Sequence, residues 1–566
     1  MADRVGRLPR FRRFDRCLRS HIKVDMTNKL AKRQFSALMF AAAVLIALGA
    51  TPAFGTTRYI AQTAGAFTGG SACNGQTAIT PATFSGITNA AGDVDYICGT
   101  ITFSANTTGI SVKGSGSSGN PVTIKFDSGA ILQSPQWPGD GTSGAIDIGS
   151  GSWITIDGNG GANGWTQGII QATANGDSGA TCLSGSCSLH GDSNGIEASS
   201  GASNIVIQGL TIQDMYVTRG NPNPGGGSCT YIYGTFSNWT IQNNNFHDMA
   251  WCINFQYSTG TSSNITISGN SIYNIDHGIA IGGYPANSNL TNINIIGNSI
   301  HDYSYWDTAN DVWHHDGVHI WGYNDNNTDK ISNITLADNR FGGCIGKNVT
   351  AHVFIEHNGG GDTNVVVHDN TFIDTCNGVV NDGMLAVEDT ATTPKIYNNT
   401  FMGSGTTQTC VGFGDDSPTS ITFVNNVVSG CNTLMYAPSP AAFASGGLHN
   451  NIYANCGPGG NCFDYHGNFT GAISSWQSST GQDPSPSAYV SSANLGSDGS
   501  PQTGSAAIGA GANLSSLCGG SLTTLCQDIT GAVRPTSGAW TAGAFNFGST
   551  PAPAPPTNLN GTVQPK

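Results

Sequence analysis

Apolar and polar residues alternate in short runs along the middle of the chain. The segments that show this are NWTIQNNNF, NITISGNSI, NINIIGNSI, NITLADNRF, NVVVHDNTF, TPKIYNNTF and SITFVNNVV. Alternation with a period of two is typical of a β-strand with one buried face, whereas a helix needs apolar residues three and four apart. The pattern therefore predicts short strands rather than helices.

Each of these segments places an asparagine six residues after its first position. The series is Asn244, Asn270, Asn298, Asn339, Asn370, Asn399 and Asn426, with spacings of 26, 28, 41, 31, 29 and 27. Leu210 takes the equivalent position one repeat earlier, and Asn451 takes it one repeat later. Repeats of this length predict a solenoid, and neither leucine-rich repeats nor propeller blades fit the period or the signature residues.

This repeat resembles the right-handed parallel β-helix proteins of the pectate-lyase-like superfamily, from about residue 59 to residue 454. The phrases AGDVDYICGTIT, SSGNPVTIKFDSGAIL and WITIDGNGG resemble the opening coils of such proteins. The resemblance implies an all-β solenoid with three short strands per coil, an asparagine ladder at one bend, and a groove on the third sheet. The superfamily includes lyases, glycosidases, esterases, epimerases and phage tailspikes, so the fold leaves the chemistry open.

The two ends of the chain differ from the repeat. Within residues 456–548, SPQTGSAAIGAGAN and DITGAVRPTSGAWTAGAFNFG are similar to the C-terminal module of secreted bacterial β-helix proteins. We expect this module to finish the solenoid and cap its open edge, with Asp528 and Arg534 in structural roles. Residues 549–566 are a Pro-rich tail.

Residues 1–55 carry a basic segment followed by an apolar run at 36–53 and a small-residue exit. This is the pattern of a secretory signal peptide, with cleavage near Ala53 or Gly55. Met26 begins a more ordinary signal sequence, so residues 1–25 are interpreted as an extension. The first 55 residues hold 11 of the 21 basic and 3 of the 35 acidic residues, which leaves a net charge of −22 on the rest. That charge disfavours nucleic acid and anionic membranes as partners.

Fourteen cysteines follow the predicted cleavage site and fall into neighbouring pairs. The pairs are Cys73/Cys98, Cys182/Cys187, Cys229/Cys252, Cys344/Cys376, Cys410/Cys431, Cys456/Cys462 and Cys518/Cys526. An even count in an exported chain predicts disulfides, and the absence of CxxC pairs makes a metal site the weaker alternative. We expect a secreted, monomeric protein.

One stretch, residues 301–330, breaks the regular repeat. It reads HDYSYWDTANDVWHHDGVHIWGYNDNNTDK and lengthens its coil by about ten residues, crowded with His, Asp, Trp and Tyr. An irregular turn on a regular scaffold is a usual place for a functional site.

The third strand of each coil can be aligned by its inward apolar residues. The segments are GIEAS, CINFQY, GIAIGG, GVHIWG, HVFIEH, MLAVED and VGFGDD, and they place Val318 and Ile320 in the core. The residues predicted to point outward are Asn254, Gln256, Ala280, Gly282, His319, Trp321, Phe354, Glu356, Ala386 and Glu388. Because coils stack about 4.8 Å apart, Trp321, Glu356 and Glu388 should form a column that Asp415 extends.

This alignment collects the candidate site residues on one patch. The candidate catalytic residues are His319, Glu356, Glu388, Asp316, Lys347 and Arg340. The candidate substrate-binding residues are Trp321, His315, Trp313, Tyr305, Gln256 and His357, with Ala280 and Gly282 as a shallow floor for a sugar. One exposed Glu or His is usually plain surface, but stacked carboxylates repel one another and imply a cation or a shared proton.

Three functions suit such a patch. The first is β-elimination on a uronic-acid polysaccharide, with Ca²⁺ held by Glu356, Glu388 and Asp389, and with Lys347, Arg340 or His319 as the base. The second is glycoside hydrolysis, in which Glu356 and Glu388 suit retention and the more distant Asp316 and Glu388 suit inversion. The third is a non-catalytic polysaccharide-binding or adhesin solenoid.

A transition-metal site at His314, His315 and His319 is a weaker hypothesis, because adjacent residues of an extended chain point to opposite sides. The sequence favours a secreted polysaccharide-active enzyme, and within that class a lyase over a glycosidase.

Overall fold

The computed structural model describes residues 55–548, except for short internal segments. Those segments are 140–142, 161–165, 177–180, 216–226, 259, 284–287, 303–314, 323–329, 344–348, 358–362, 376–379, 389–392, 406, 415–419, 438–441 and 458–460. The predicted signal peptide and the Pro-rich tail lie outside the described residues.

The first face of the solenoid is a parallel sheet of 13 strands, one from each coil. The strands are Thr57–Ile60, Val94–Ile97, Val122–Phe126, Ser152–Asp157, Ser203–Gln208, Ser237–Gln242, Gly260–Ser268, Ser288–Ile296, Lys330–Ala337, Thr363–His368, Lys395–Tyr397, Ile421–Val424 and Phe443–His449. Parallel pairing joins each strand to those of the coils before and after it, which is the pattern of a β-helix.

The second face follows the asparagine bend and is also parallel. Its strands are Thr100–Thr102, Ile131–Ser134, Gly168–Ala172, Leu210–Met215, Asn245–Tyr257, Ser271–Gly283, Ser299–His301, Arg340–Gly343, Thr371–Asp374, Thr400–Met402, Val427–Ser429, Ile452–Ala454 and Ala488–Val490. Two of these strands, Asn245–Tyr257 and Ser271–Gly283, continue around the next corner without a break. The second and third faces therefore belong to one hydrogen-bonded sheet of 24 strands.

The third face carries the candidate site. Besides the second halves of the two long strands, it consists of Ile110–Ser111, Ile146–Asp147, Asn194–Ala198, Ser228–Gly234, His315–Gly322, Val349–His357, Val380–Val387, Thr409–Phe413, Thr433–Ala437 and Phe463–Tyr465, with Asn468–Thr470 antiparallel to the last. The predicted all-β parallel β-helix is thus what the chain forms. The sequence alignment of this face lacks the strand Ser228–Gly234. A Gly- and Pro-rich segment precedes this strand and interrupts the repeat, so the pattern does not indicate its position.

Short strand pairs and helices complete the described structure. The pairs are Gly65–Ala66 with Thr77–Ala78, Thr88–Asn89 with Lys113–Gly114, and Thr181–Cys182 with Gly185–Ser186. The helices are Pro81–Phe84 and Ile473–Thr480, with 3₁₀ turns at Ser515–Leu517 and Gly520–Cys526. None of the helices in the described ranges has the length and apolar content to cross a lipid bilayer.

A buried asparagine ladder runs along the first bend, as predicted. Within it the Asn298 Nδ2 donates to Asn339 Oδ1 at 3.0 Å, and the Asn339 Nδ2 donates to Asn370 Oδ1 at 3.0 Å. The backbone amide of Asn298 also donates to Asn339 Oδ1, at 2.9 Å, although 41 residues separate the two. The long coil therefore keeps the same register as its neighbours, and its extra residues are placed elsewhere in the coil.

A second, exposed asparagine ladder lies on the first face and was not predicted. It comprises Asn204, Asn238, Asn264, Asn292, Asn333 and Asn364, which join side chain to side chain at 2.8–3.1 Å. All six have a φ between 56° and 61°. Asparagine is one of the few residues with a side chain that tolerate this left-handed conformation, which explains its recurrence here.

The C-terminal region closes the solenoid in two different ways. The helix Ile473–Thr480 covers the last coil, where Trp476 is buried against Phe463 at 5.2 Å and donates to Asp483 at 3.0 Å. Asp483 also accepts from Asn451, at 2.8 Å, and so terminates the buried ladder.

Residues 505–548 do not lie over the open end as expected but pack along the side of the solenoid. The buried Arg534 donates to Asp369 Oδ1 at 2.6 Å, and the Ala544 amide donates to Thr400 Oγ1 at 3.0 Å. These contacts tie the segment to the bends of successive coils. Asp528 is also buried and accepts from the amides of its own turn, so both residues have the structural roles predicted for them.

Six of the seven predicted disulfides are present. They are Cys73–Cys98, Cys182–Cys187, Cys229–Cys252, Cys410–Cys431, Cys456–Cys462 and Cys518–Cys526. The remaining pair, Cys344 and Cys376, lies outside the described residues. Disulfides of this number are typical of proteins that fold in an oxidising compartment.

Replacement of one buried ladder residue should destabilise the fold. Asn339→Ala removes the amide that donates to Ile295 O and accepts from Asn298, and each buried group left unsatisfied costs about 1–3 kcal/mol. We expect the melting temperature to fall by at least about 2 °C, as followed by circular dichroism.

The exposed ladder provides the matched control. Asn333→Gly removes an amide of the same type and keeps the left-handed φ of 57° accessible. Because solvent replaces its hydrogen bonds, we expect a change within about 0.5 kcal/mol. Equal loss of stability in the two variants would contradict a special role for the buried ladder.

Candidate active site

The third face carries a column of side chains on successive coils. Gln256 pairs with Gly282, Gly282 with Trp321, and Trp321 with Glu356. The amide of Glu388 donates at 2.8 Å to the strand that carries Glu356, which places Glu388 next in line. The predicted alignment of Trp321, Glu356 and Glu388 is therefore confirmed.

The column ends differently from the prediction. Leu385 pairs with Val411, so the position after Glu388 is taken by Gly414 rather than Asp415. A Cβ on Gly414 would lie 2.7 Å from the Glu388 Cγ, which shows that the Glu388 side chain leans over this glycine. Asp415 lies outside the described residues.

The indole of Trp321 lies over Gly282. A Cβ at position 282 would come within 1.9 Å of Trp321 Cε2, so only glycine admits the ring there. Trp251 meets the indole edge-on, with ring centroids 6.0 Å apart. The shallow floor predicted at Ala280 and Gly282 is therefore filled by protein, and a sugar would contact the other face of the indole.

His319 points outward but is almost fully covered. Its ring lies 5.1 Å from the ring of Phe354 and 4.5 Å from that of Trp321, and its side chain is 5% exposed. The Nε2 atom lies 3.0 Å from Glu356 Oε1, whose side chain is 24% exposed. The imidazole can therefore exchange a proton with a carboxylate that reaches solvent.

Asp316 lies behind His319 and not on the groove surface. It is fully buried, its Oδ1 accepts from the Ala351 amide at 3.0 Å, and its Oδ2 lies 3.8 Å from His319 Nδ1. The pairing of strands His315–Gly322 and Val349–His357 shifts register between His315 and Asp316. This irregularity changes the direction in which the side chains at this corner point. The prediction that Asp316 lies on the groove surface beside Glu388 is therefore wrong.

Two residues of the preceding coil complete this buried corner and were missed from the sequence. His277 pairs with Asp316 on the neighbouring strand, with Nε2 3.5 Å from Asp316 Oδ2. Asp276 lies 3.5 Å from His277 Nδ1 and 3.2 Å from His315 Nδ1. Their place in the repeat is the sequence feature that indicates them. Asp276 and His277 precede a glycine and an apolar strand, as His315 and Asp316 do one coil later.

His315 is fully buried against Asp276, so it does not line the groove as predicted. The electrostatics of this corner are dominated by carboxylates. Burial alone would lower the pKa of His277, but the carboxylates of Asp276 and Asp316 raise that pKa to about 9.

Arg340 lies on a different face from the other candidates. It follows the ladder residue Asn339 on the second face, with its guanidinium 5.6 Å from the ring of Phe545. Burial lowers the pKa of Arg340, and the carboxylates of Asp498 and Asp338 oppose this shift without cancelling it. The structure therefore does not bring Arg340 to the groove.

Among the remaining predicted site residues, Gln256 lies within the described part of the chain. Gln256 is half-buried on the third face, where its Oε1 accepts from the Tyr231 hydroxyl at 3.3 Å. Lys347, Trp313, Tyr305, His314 and Asp389 lie outside the described residues, as does the side chain of His357.

The calcium site predicted at Glu356, Glu388 and Asp389 stays a prediction, because Asp389 lies outside the described residues. Of its other two ligands, Glu356 contacts His319 and Glu388 leans toward Gly414. The inner corner instead offers a mixed donor set. Ligand atoms of His277, Asp316 and His319 all lie within 4.8 Å of one another, and these three buried residues are called the inner cluster below.

A second pair of carboxylates lies on the same face, several coils toward the N-terminus. Asp147 and Glu197 occupy paired positions on neighbouring strands. Burial raises the pKa of Glu197 to about 7, the Asn194 amide opposes this shift, and the negative charge of Asp147 adds to it. Glu197 therefore titrates near neutral pH.

The chain is similar to several solved structures. Pectate lyase Pel9A is 14% identical over 87% of this chain and 97% of its own, with a TM-score of 0.43. A rhamnogalacturonan lyase is 13% identical over 70% and 82%, with a TM-score of 0.31. The GH136 lacto-N-biosidase from Eubacterium ramulus is 12% identical over 77% and 67%, with a TM-score of 0.40. The assignment of the fold rests on the strand registers described above.

No protein-family model matches the sequence, and no curated protein matches it.

The raised pKa of Glu197 predicts a pH-dependent stability. A carboxyl group whose pKa rises from 4.5 to about 7 on folding stabilises the fold at low pH, and that contribution is lost as the pH rises through about 7. Glu197→Gln cannot ionise, so we expect it to melt roughly 1–3 °C above the wild type near pH 8. Near pH 5 the two should melt together, and lower stability of the variant at both values would contradict the assignment.

Proposed function

We propose that this chain is a secreted enzyme that cleaves a polysaccharide in a groove along the third face. The proposed substrate is an acidic, uronic-acid-containing polysaccharide, and the proposed reaction is β-elimination. Trp321 provides the aromatic surface for a sugar ring, while Glu356 and Glu388 provide the chemistry.

One observation carries this proposal: Glu356 is exposed to solvent and linked at 3.0 Å to His319. Behind the imidazole, Asp316 Oδ2 lies 3.8 Å from its other nitrogen. A carboxylate–imidazole–carboxylate line can hold a proton at one end and release it at the other, which is how acid–base catalysts are oriented. A purely adhesive surface needs no such line.

In the proposed elimination, Glu356 acts as the base at the surface. It takes the proton from C5 of the uronate, the C5–H electrons form the C4–C5 double bond, and the bond from C4 to the glycosidic oxygen breaks. Glu388, one coil further, donates a proton to that oxygen. His319 is a positioning residue that shares the proton on Glu356, and the charge of Asp316 favours this role.

Hydrolysis is the second candidate, because Glu356 and Glu388 occupy equivalent positions on neighbouring coils. Coils lie about 4.8 Å apart, and a separation of about 5 Å between two carboxyl groups is the geometry of a retaining glycosidase. In that case one carboxyl group acts as the acid and the other as the nucleophile. The same two residues thus serve either reaction, and the substrate decides between them.

A polysaccharide screen with two readouts tests the proposal. Ultraviolet absorbance of unsaturated uronates reports elimination, while new reducing ends without that absorbance report hydrolysis. We expect both signals to rise together on at least one polyuronate. New reducing ends alone would contradict elimination and support the second candidate.

Variants connect the activity to the column. Glu356→Gln and Glu388→Gln should each lower turnover by about 10²–10⁴-fold, the usual contribution of a general acid or base. Asp157→Asn makes the same chemical change on the first face and should leave turnover unchanged. Full activity of the Glu356→Gln, Glu388→Gln double variant would contradict the proposed roles. If no polysaccharide is cleaved but one binds, the chain is a binding solenoid and not an enzyme.

A further inference from the structure

We propose that the inner cluster of His277, Asp316 and His319 binds one divalent transition-metal ion, with Zn²⁺ as the best match. This inference concerns metal binding and not the reaction at the groove, although His319 and Asp316 take part in both proposals. It differs from the calcium site predicted at Glu356, Glu388 and Asp389 in its residues, its depth and its donor atoms.

The spacing of the donor atoms fits a single small ion. Asp316 Oδ2 lies 3.5 Å from His277 Nε2 and 3.8 Å from His319 Nδ1. Two ligands that each lie about 2.0–2.2 Å from a tetrahedral Zn²⁺ are roughly 3.3–3.6 Å apart. The ligand atoms of His277 and His319 lie within 4.8 Å of each other, so a movement of up to about 1.5 Å between the two imidazoles would place all three ligands around one ion.

The atoms that face away from the centre each lie near a further polar group, which is a second and independent observation. His277 Nδ1 lies 3.5 Å from Asp276, and His319 Nε2 lies 3.0 Å from Glu356. The other oxygen of Asp316 accepts from the Ala351 amide at 3.0 Å. Metal-binding histidines typically have a carboxylate at the second ring nitrogen, which fixes the ring and the tautomer.

The fold explains why the three ligands meet. His277 and Asp316 are paired on neighbouring strands, and His319 follows Asp316 by three residues on the same strand. The register shift just before Asp316 turns its carboxylate toward both imidazoles. All three side chains are almost fully buried.

The donor chemistry selects the class of metal. Two imidazole nitrogens and one carboxylate oxygen suit Zn²⁺, Co²⁺ or Fe²⁺, whereas Ca²⁺ and Mg²⁺ prefer oxygen ligands alone. The nearby carboxylates of Asp276 and Glu356 add negative charge, which a divalent cation offsets. Bound there, the ion would lock the ring of His319 and, through it, the position of Glu356.

Metal analysis of the folded, full-length protein tests the site directly. Protein purified without chelator should contain close to one equivalent of zinc by inductively coupled plasma mass spectrometry. After removal of the metal, titration with Co²⁺ should saturate near one equivalent and give the visible absorption of a low-coordinate Co²⁺ ion. Thermal unfolding should shift upward with added Co²⁺, since an ion that binds only the native state stabilises it.

Three variants locate the ion. His277→Gln and Asp316→Asn should abolish the Co²⁺ absorption, and Asp276→Asn should weaken binding by about 10–100-fold, as expected for a residue that supports a ligand. The control is His301→Gln, which removes a histidine from another His–Asp pair, 2.7 Å from Asp302 on the second face. It should bind one equivalent of Co²⁺ like the wild type.

Two results would overturn the proposal. The first is a folded wild-type protein that neither contains zinc nor binds Co²⁺, which would make the cluster a proton-sharing network. The second is Co²⁺ absorption that persists in folded His277→Gln. Neither result decides whether polysaccharide is cleaved, which is measured separately with the variants of Glu356 and Glu388.

Discussion

The buried asparagine ladder is the constraint on which the rest of the structure depends. Each ladder amide donates to both neighbouring coils and accepts from the preceding one, as Asn298 does with Ile267, Asn339 and Asn270. These groups lie in the interior, where an unsatisfied amide is costly. Only one register satisfies all of these groups at once. The ladder bond from Asn298 to Asn339 spans 41 residues and is as short as the bond from Asn244 to Asn270, which spans 26. The irregular coil can therefore vary its turns without displacing its strands.

A fixed register aligns the side chains of the third face in straight columns. The residues of the site lie in neighbouring columns and differ in how deeply they are buried. Glu356 reaches solvent, His319 lies beneath the surface, and Asp316 and His277 lie deeper still. Burial of so many ionisable groups carries a desolvation cost, which is tolerable only because each faces a partner of opposite character. Trp321 closes the outer side of the corner by lying over Gly282.

The fold and the ladder could be predicted because both leave local marks: alternation within a strand and an asparagine at one bend. The order of Trp321, Glu356 and Glu388 followed from the same alternation, since strand pairing carries it from coil to coil. The inward position of Asp316 could not be predicted, because it depends on a shift of register that the alternating pattern does not show.

Other features depend on contacts between distant parts of the chain. His277 belongs to the site only because its coil lies next to that of Asp316. No sequence motif within either coil predicts that the two residues are neighbours. The orientation of Trp321 depends on the absence of a side chain at Gly282, 39 positions earlier. Arg534 reaches Asp369 across 165 residues, so the packing of residues 505–548 along the side was hidden from any local pattern.

The central claim is that polysaccharide occupies the third face at Trp321 and is cleaved at Glu356. The most direct measurement is a crystal structure of the inactive Glu356→Gln variant with an oligosaccharide of the substrate found by screening. We expect a sugar ring against the outer face of the Trp321 indole, with the scissile bond between positions 356 and 388. An oligosaccharide bound along the exposed asparagine ladder of the first face, with the third face empty, would contradict it.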